Sequence, residues 1–349
     1  MKLSVAMATY NGAAYISEQL ASLAGQTRVP DELVVSDDGS TDATIEIIKG
    51  FASSAPFAIR FAEKAARLGF SDNFLFAAEH CSHEVVAFCD QDDVWMPRKL
   101  ELGVGRLEED GSLLSLHTLT VTDAKLRPTG FEWDQGIDRD AVHEPLALDP
   151  YATGWGNSMV FRKELLQIIP RERRPQQPNN PALPLSHDTW IYMLAAALGR
   201  TSWLKQPLLL YRQHGAAATV SARPLSRRQR LLKVTRAAVD DFHAHSRIDA
   251  AMAELFTDVS VHQGPYQEAA RTAALRFRER SDYWSKRAAI FDEPSIRSRG
   301  SAYLQFHRHH AQGRHWLGAH LKDIVLGVSG ASRSSRTSSA FAEGPDPCP

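Results

Sequence analysis

Short apolar runs alternate with segments of helical spacing along the first half of the chain. KLSVAMAT (2–9), ELVVSDD (32–38), AIRFAE (58–63) and EVVAFCD (84–90) have the apolar, β-branched content of buried strands, while 13–25, 42–52 and 71–80 space their apolar residues for helices. This β-α-β-α rhythm predicts an α/β fold with a mostly parallel sheet flanked by helices. Polar residues follow three of the strands: Thr9-Tyr10-Asn11, Asp37-Asp38, and Asp90 to Asp93. Ligands of open α/β sheets bind outside the carboxyl ends of the strands, so these stretches are expected on one rim.

After residue 112 the pattern loosens. LLSLHTLTVTD (113–123) reads as a strand, 153–166 as loop, strand and helix start, and PRERRPQQPNNPALP (170–184) as a Pro/Asn-rich loop. SHDTWIYMLAAALG (186–199) is helical with Ser186 placed to cap it, and TSWLKQPLLLYRQHG (201–215) reads as two short strands. Helical composition resumes near 224, with further segments at 265–290 and 300–327, and the Ser/Gly-rich end is low-complexity. The expected organisation is a catalytic domain over 1–220, a basic helical region over 221–330 and a disordered tail over 331–349.

The 349 residues are 43% hydrophobic, enough for a substantial core. A net charge of -1 argues against a general nucleic-acid binder, which would carry a basic excess. That balance conceals -8 over residues 1–219 and +7 from 220 onward. An acidic first part that binds an anion needs a metal ion. Three cysteines without a CxxC disfavour a disulfide framework or a zinc site. The first residues lack a signal peptide's apolar core, and no run approaches 18 apolar residues, so a cytoplasmic location is expected.

The densest chemistry lies in Asp90-Gln91-Asp92-Asp93. Like charges this close raise one another's pKa. Asp93 suits a turn or helix cap before MPRKLELGVGRLEE. Asp90 and Asp92 form a D-x-D at a strand end, able to offer oxygens to Mg²⁺ or Mn²⁺ that shares its shell with substrate phosphates. In VVSDDGSTD (34–42), Gly39 gives backbone freedom and Ser40 or Thr41 suits a cap, while Asp37 and Asp38 face the rim. No P-loop is present, and GVGRLE (103–108) lacks the third glycine of a dinucleotide fingerprint.

Taken in order, ATYNG (8–12), VVSDDGSTD, LGFSDNF (68–74), FCDQDDVWMPRKL (88–100), SHDTW (186–190) and YRQHG (211–215) resemble the family 2 glycosyltransferases of the GT-A fold, most closely a bacterial rhamnosyltransferase-type branch. The resemblance covers about 215 residues. It implies that Thr9, Tyr10 and Asn11 line a nucleotide pocket and that Asp38, with Asp37, reads the base or ribose. Asp90 would approach ribose and metal, and Asp92 and His214 would hold the metal. Arg212 and Gln91 would face the donor diphosphate, and Asp188 would be the catalytic base. The implied donor is a dTDP- or UDP-sugar, with rhamnose a candidate, and the acceptor a cell-surface glycan precursor or lipid-linked molecule. A single carboxylate base suits direct displacement with inversion.

The chain departs from the family at Ala65, where relatives often have Asn, and at GWGNSMVF (154–161), where a Gly-Cys motif is usual. His117 stands where a small polar residue is common and is expected to pack in the core. No QxxRW is present, which points to single-sugar transfer. HRHHAQGRHWLGAH (307–320) has no carboxylate partner and irregular spacing for a metal site. The basic helical region is compatible with a solvated face, peripheral contact with the inner face of a membrane, or a homodimer interface. Two rival readings are a nucleotidyltransferase, for which ATYNGAAY lacks a phosphate-binding loop, and a nucleotide- or glycan-binding module with a lapsed active site, against which Asp90, Asp92 and Asp188 stand together.

Overall fold

The structure, a computed structural model, describes residues 1–151, 154–178, 180–215, 239–293 and 295–310. Its centre is a ten-stranded sheet. Strands β1 (Leu3–Thr9), β2 (Glu32–Asp37), β3 (Ala58–Phe61) and β4 (Val85–Cys89) alternate with helices α1 (Ile16–Ala24), α2 (Thr44–Ala52) and α3 (Phe70–Glu79). Beyond them follow β5 (Val94–Trp95), α4 (Lys99–Glu109), β6 (Leu114–Thr122), β7 (Pro128–Trp133), β8 (Ala141–His143), β9 (Val160–Arg162), α5 (Leu165–Ile168), α6 (His187–Leu198) and β10 (Thr201–Arg212). The order is β3-β2-β1-β4-β9-β6-β10-β5, with β7 on β6 and β8 on β10.

The sheet is parallel through β3-β2-β1-β4 and again between β6 and β10, while β9 lies antiparallel between β4 and β6. Every residue of β1 and β4 is buried, as a strand covered on both faces requires. From β1 the chain runs outward through β2 and β3, then returns to place β4 on the other side of β1. That reversal opens a crevice between the ends of β1 and β4, where α/β sheets bind ligands. Helix α1 buries Ile16, Leu20 and Leu23, and α4 buries Leu100, Val104 and Leu107 in the same core. Gly103 is required there: a Cβ on it would stand 2.7 Å from Val160 Cγ2.

Several local expectations are corrected. Residues 201–212 form one strand, not two, because register shifts around Pro207 absorb the break that proline imposes. Asp93 does not cap α4, which starts six residues later at Lys99 with Arg98 preceding it. Neither Ser40 nor Thr41 caps α2; Asp42 Oδ1 accepts from the Thr44 N–H at 3.0 Å instead. Ser186 precedes α6 as expected, but its hydroxyl turns to Asp188 and Thr189 rather than to backbone. His117 is buried as foreseen, with Nδ1 2.7 Å from the Thr118 carbonyl.

The chain divides into two compact units. The first takes Met1–Pro175, Pro184–Ser221 and Leu255–Ala273, and the second Gln176–Leu183, Ala222–Glu254 and Ala274–Pro349, so far as these residues are described. Helices α7 (Val239–Val261), α8 (Gln267–Asp292) and α9 (Ile296–His310) supply the helical region. In the second unit Phe242 stacks on Trp284 with centroids 5.6 Å apart, and Ile290, Tyr303 and Phe306 form a small apolar cluster. The helix expected from 224 and the segment 311–327 lie, before residue 239 and after residue 310, outside the described residues, as does the tail. Among the described residues no helix is long and apolar enough to cross a membrane.

Candidate active site

The strand ends of the first unit enclose a cavity of about 320 Å³. Its wall includes Thr9 and Tyr10 after β1, Asp38 after β2, Asp90 to Asp92 after β4, Tyr211 and Arg212 of β10, and His187 and Asp188 of α6. Segments from both ends of the first 212 residues thus face one space.

Gln91 joins the two sides of the crevice. Its Oε1 accepts from the Tyr10 N–H at 3.0 Å and its Nε2 donates to the Tyr10 carbonyl at 2.9 Å. Gly12 makes room for this amide, since a Cβ there would fall 2.2 Å from Gln91 Oε1. Asn11 takes a positive φ of 49° and is tied to the β2 loop, donating through N–H to Ser40 Oγ and accepting from the Thr41 N–H. Asp37 turns into that loop and accepts from Thr9 Oγ1, the Gly39 and Ser40 N–H groups and Ser40 Oγ, so it and Asn11 lie outside the cavity lining.

Asp38 lines the cavity but is also held. Burial works to raise its pKa, yet the Lys64 amine at 2.8 Å and the N–H groups of Leu68 and Gly69 outweigh this and keep the carboxyl below its ordinary range. From the same segment, Arg67 lies over the Tyr10 ring at 4.3 Å.

In the acidic loop each carboxylate has a different neighbourhood. Asp93 is fully buried, accepting from Asn157 Nδ2 at 2.7 Å and the Arg212 N–H at 3.1 Å. Burial, and then the charge of Asp92, push its pKa up to about 7. Asp90 is pushed well above its ordinary value, by burial first and then by Asp93 and Asp92. Beneath them lies Lys99, also fully buried, its ammonium bonded to the Asn157 carbonyl and 3.6 Å from the Trp95 ring centre. Burial pulls this amine down to about 7 against the attraction of Cys89, Asp93 and Asp90. No role was legible in the sequence for Lys99, though it lies within FCDQDDVWMPRKL, or for Asn157, whose one visible signal was the GWGN departure from the family pattern.

Arg212 is buried and held at each of its three guanidinium nitrogens. Its guanidinium donates to the carbonyls of Asp92 and Ala124, at 2.7 and 2.9 Å, and pairs with Glu18. It therefore fastens the acidic loop, although its surface reaches the cavity. His214 Nε2 lies 2.9 Å from Asp92 Oδ2, while its buried Nδ1 has no hydrogen-bond partner among the described residues.

Asp92 and His214 suit a divalent cation. Adjacent ligands on an octahedral ion with bonds of about 2.1 Å stand about 3 Å apart, close to the spacing of this pair. Among the described residues no three His, Cys, Asp or Glu side chains form a metal cage, so Asp90 does not complete one with them. A two-ligand protein site matches an ion whose remaining positions are taken by water and phosphate.

On the opposite wall, Asp188 stands in the first turn of α6, its Oδ1 accepting from Ser186 Oγ and the Thr189 N–H. The preceding His187 stacks on Phe74, centroids 4.2 Å apart, and its N–H donates to Ser71 Oγ at 2.6 Å. Arg174 ties the same two helices, pairing with Asp72 of α3 and donating to the Leu185 carbonyl at 2.7 Å. Burial chiefly keeps the His187 imidazole neutral. Gly156 is indispensable to this packing: a Cβ would lie 2.5 Å from His187 Nε2.

Residues 4–168 match the model of glycosyl transferase family 2. The chain carries a family 2 glycosyltransferase domain. It is 29% identical over 263 residues to an uncharacterized glycosyltransferase of Nostoc sp., covering 69% of this chain and 76% of that one. It is 28% identical over 215 residues to the dTDP-rhamnosyl transferase RfbG of Shigella flexneri, covering 60% and 71%. The fold is also that of S. aureus TarS 1-349, crystallised with UDP-GlcNAc, at a TM-score of 0.54 and 19% identity over 95% of this chain and 91% of that one. The expected GT-A architecture is therefore present, and the protein is a glycosyltransferase.

Proposed function

We propose that this glycosyltransferase moves a single sugar, with inversion, from a dTDP- or UDP-sugar to a hydroxyl of a glycan or lipid-linked acceptor, with Mg²⁺ or Mn²⁺ as cofactor. One observation carries the reading: Asp92, whose carboxylate pairs with His214 behind it, and the half-free carboxylate of Asp188 line one cavity. Similarity to RfbG favours rhamnose among the donors, and dTDP over UDP.

Tyr10, beneath Arg67, offers a face for the nucleobase, and Asp38 the carboxylate nearest the ribose or base. Asp90, the first carboxylate of the acidic loop, lines the same cavity. Asp92 and His214 would hold the ion, which when bound supplies positive charge beside the departing diphosphate. Arg212 keeps the Asp92 backbone in place. Asp188 takes the proton of the acceptor hydroxyl as its oxygen attacks the anomeric carbon, and the diphosphate departs on the far side. Ser186 and Thr189 occupy one Asp188 oxygen and so orient the other. Hydrolysis of a glycosidic bond would instead call for two carboxyls flanking it.

The test compares Asp92→Ala and Asp188→Asn by calorimetry and turnover. Asp92→Ala should lose Mn²⁺-stimulated binding of dTDP or UDP, and Asp188→Asn should bind nucleotide normally while transfer falls by about 10²-fold or more. Transfer that survives in Asp188→Asn places the base elsewhere.

A further inference from the structure

Helix α3 begins with an aromatic residue that it does not bury. Phe74, one turn on, is 1% exposed, whereas Phe70 keeps 52% of its surface open and lines the cavity. Its ring is nonetheless braced. It meets Phe74 edge-on, with centroids 5.2 Å apart and planes at 80°, and His187 at 5.4 Å and 73°. Because the stacked rings of Phe74 and His187 have nearly parallel planes, Phe70 stands steeply against both. A fixed, open apolar ring on the Asp188 side of a cavity that also carries four carboxylates marks a place for a ligand with an apolar face.

We propose that Phe70 is the platform on which the pyranose ring of the acceptor stacks, an inference that rests on the reading of Asp188 as base. The attacking hydroxyl must come within hydrogen-bond reach of Asp188. Asp188 follows His187 in α6, and the Phe70 ring lies against His187. A sugar whose hydroxyl reaches Asp188 therefore has its body beside Phe70. The carbon-bound hydrogens on one face of a pyranose are apolar and weakly positive, matching the negative face of an aromatic ring. A diphosphate has no such face. The nucleobase finds its aromatic partner in Tyr10, on the β1 side of the cavity.

The experiment uses the full chain with Phe70→Ala and Phe70→Trp. Kd values for dTDP and UDP come from calorimetry with Mn²⁺, and binding of methyl rhamnoside, methyl glucoside and methyl N-acetylglucosaminide comes from saturation-transfer NMR at saturating nucleotide. Phe70→Ala should leave nucleotide affinity within about twofold and weaken the best glycoside about tenfold, while Phe70→Trp restores most of it. Equal glycoside binding by Phe70→Ala and the parent overturns the inference, as does a parent that binds none of the three. Loss of nucleotide affinity matching the glycoside loss also overturns it, assigning the ring to the donor instead. A parent that binds neither dTDP nor UDP overturns the donor assignment itself, a failure distinct from that of Phe70.

Discussion

Lys99→Met is the sharpest test of how the acidic loop is held. The substitution keeps the length of the side chain and removes the ammonium from a site with no solvent exposure. Lost with it are a charge-assisted hydrogen bond to Asn157, worth about 1.5–3 kcal/mol, and a desolvated contact with Trp95, worth about 2 kcal/mol. These overlap with the larger effect, which is to leave the buried Asp93 carboxyl without the nearby charge of Lys99 that works against its raised pKa. Removing one partner of a buried pair costs about 3–5 kcal/mol, a large share of the about 5–15 kcal/mol typical of a folded domain. With a urea m-value of about 3 kcal/mol/M, the midpoint should fall by about 1–1.7 M. Adding Asp93→Asn should recover about 2 kcal/mol. The new amide removes the unpaired charge, and Asn157, whose Oδ1 is buried without a partner, can turn its own amide to receive it. A Lys99→Met protein within about 1 kcal/mol of the parent, or a double variant no better than the single, would refute the view of Lys99 as the loop's internal counter-ion.

Gly156→Ala should lower the melting temperature by several degrees, from about 1–3 kcal/mol of overpacking against a His187 ring that Phe74 prevents from retreating, and transfer should fall further than nucleotide affinity. Gly12→Ala should displace the Gln91 amide and its two hydrogen bonds, lowering stability by about 1–3 kcal/mol and weakening nucleotide binding by calorimetry; a variant equal to the parent in both would show that the amide has somewhere else to go. Asp38 has a folded pKa below its unfolded value, so the stability it contributes is present above the unfolded pKa and is lost as pH falls through the folded one. Acid unfolding of the parent should therefore be steeper than that of Asp38→Asn below about pH 4, and superimposable curves would remove this assignment.

The sheet and its rim were legible because each strand carries its own apolar run and its own polar ending, a purely local pattern. The same is true of α6, whose start SHDTW is marked by polar residues before an apolar run. What could not be read was which polar groups the fold would consume. Asp37 and Asp38 look alike in sequence, yet one is bound up in its own turn while the other is gripped by Lys64 and the 68–69 backbone. Arg212 reads as a free cation for a diphosphate; the fold gives three of its five N–H donors to Asp92, Ala124 and Glu18. Lys99 reads as an ordinary solvated lysine near a helix start, and its burial depends on Asn157, 58 residues away. Residues 201–215 read as two short strands, whereas a register shift at Pro207 lets one strand run through.

The clasp between Gln91 and the Tyr10 peptide bears on how this enzyme can be re-engineered. Because one amide satisfies both backbone groups of Tyr10, and only a glycine at position 12 leaves room for it, the strand end after β1 and the acidic loop are a single structural part. Donor specificity transplanted from a relative by exchanging the ATYNG segment alone would arrive without its matching glutamine. A successful graft must carry both strand ends together.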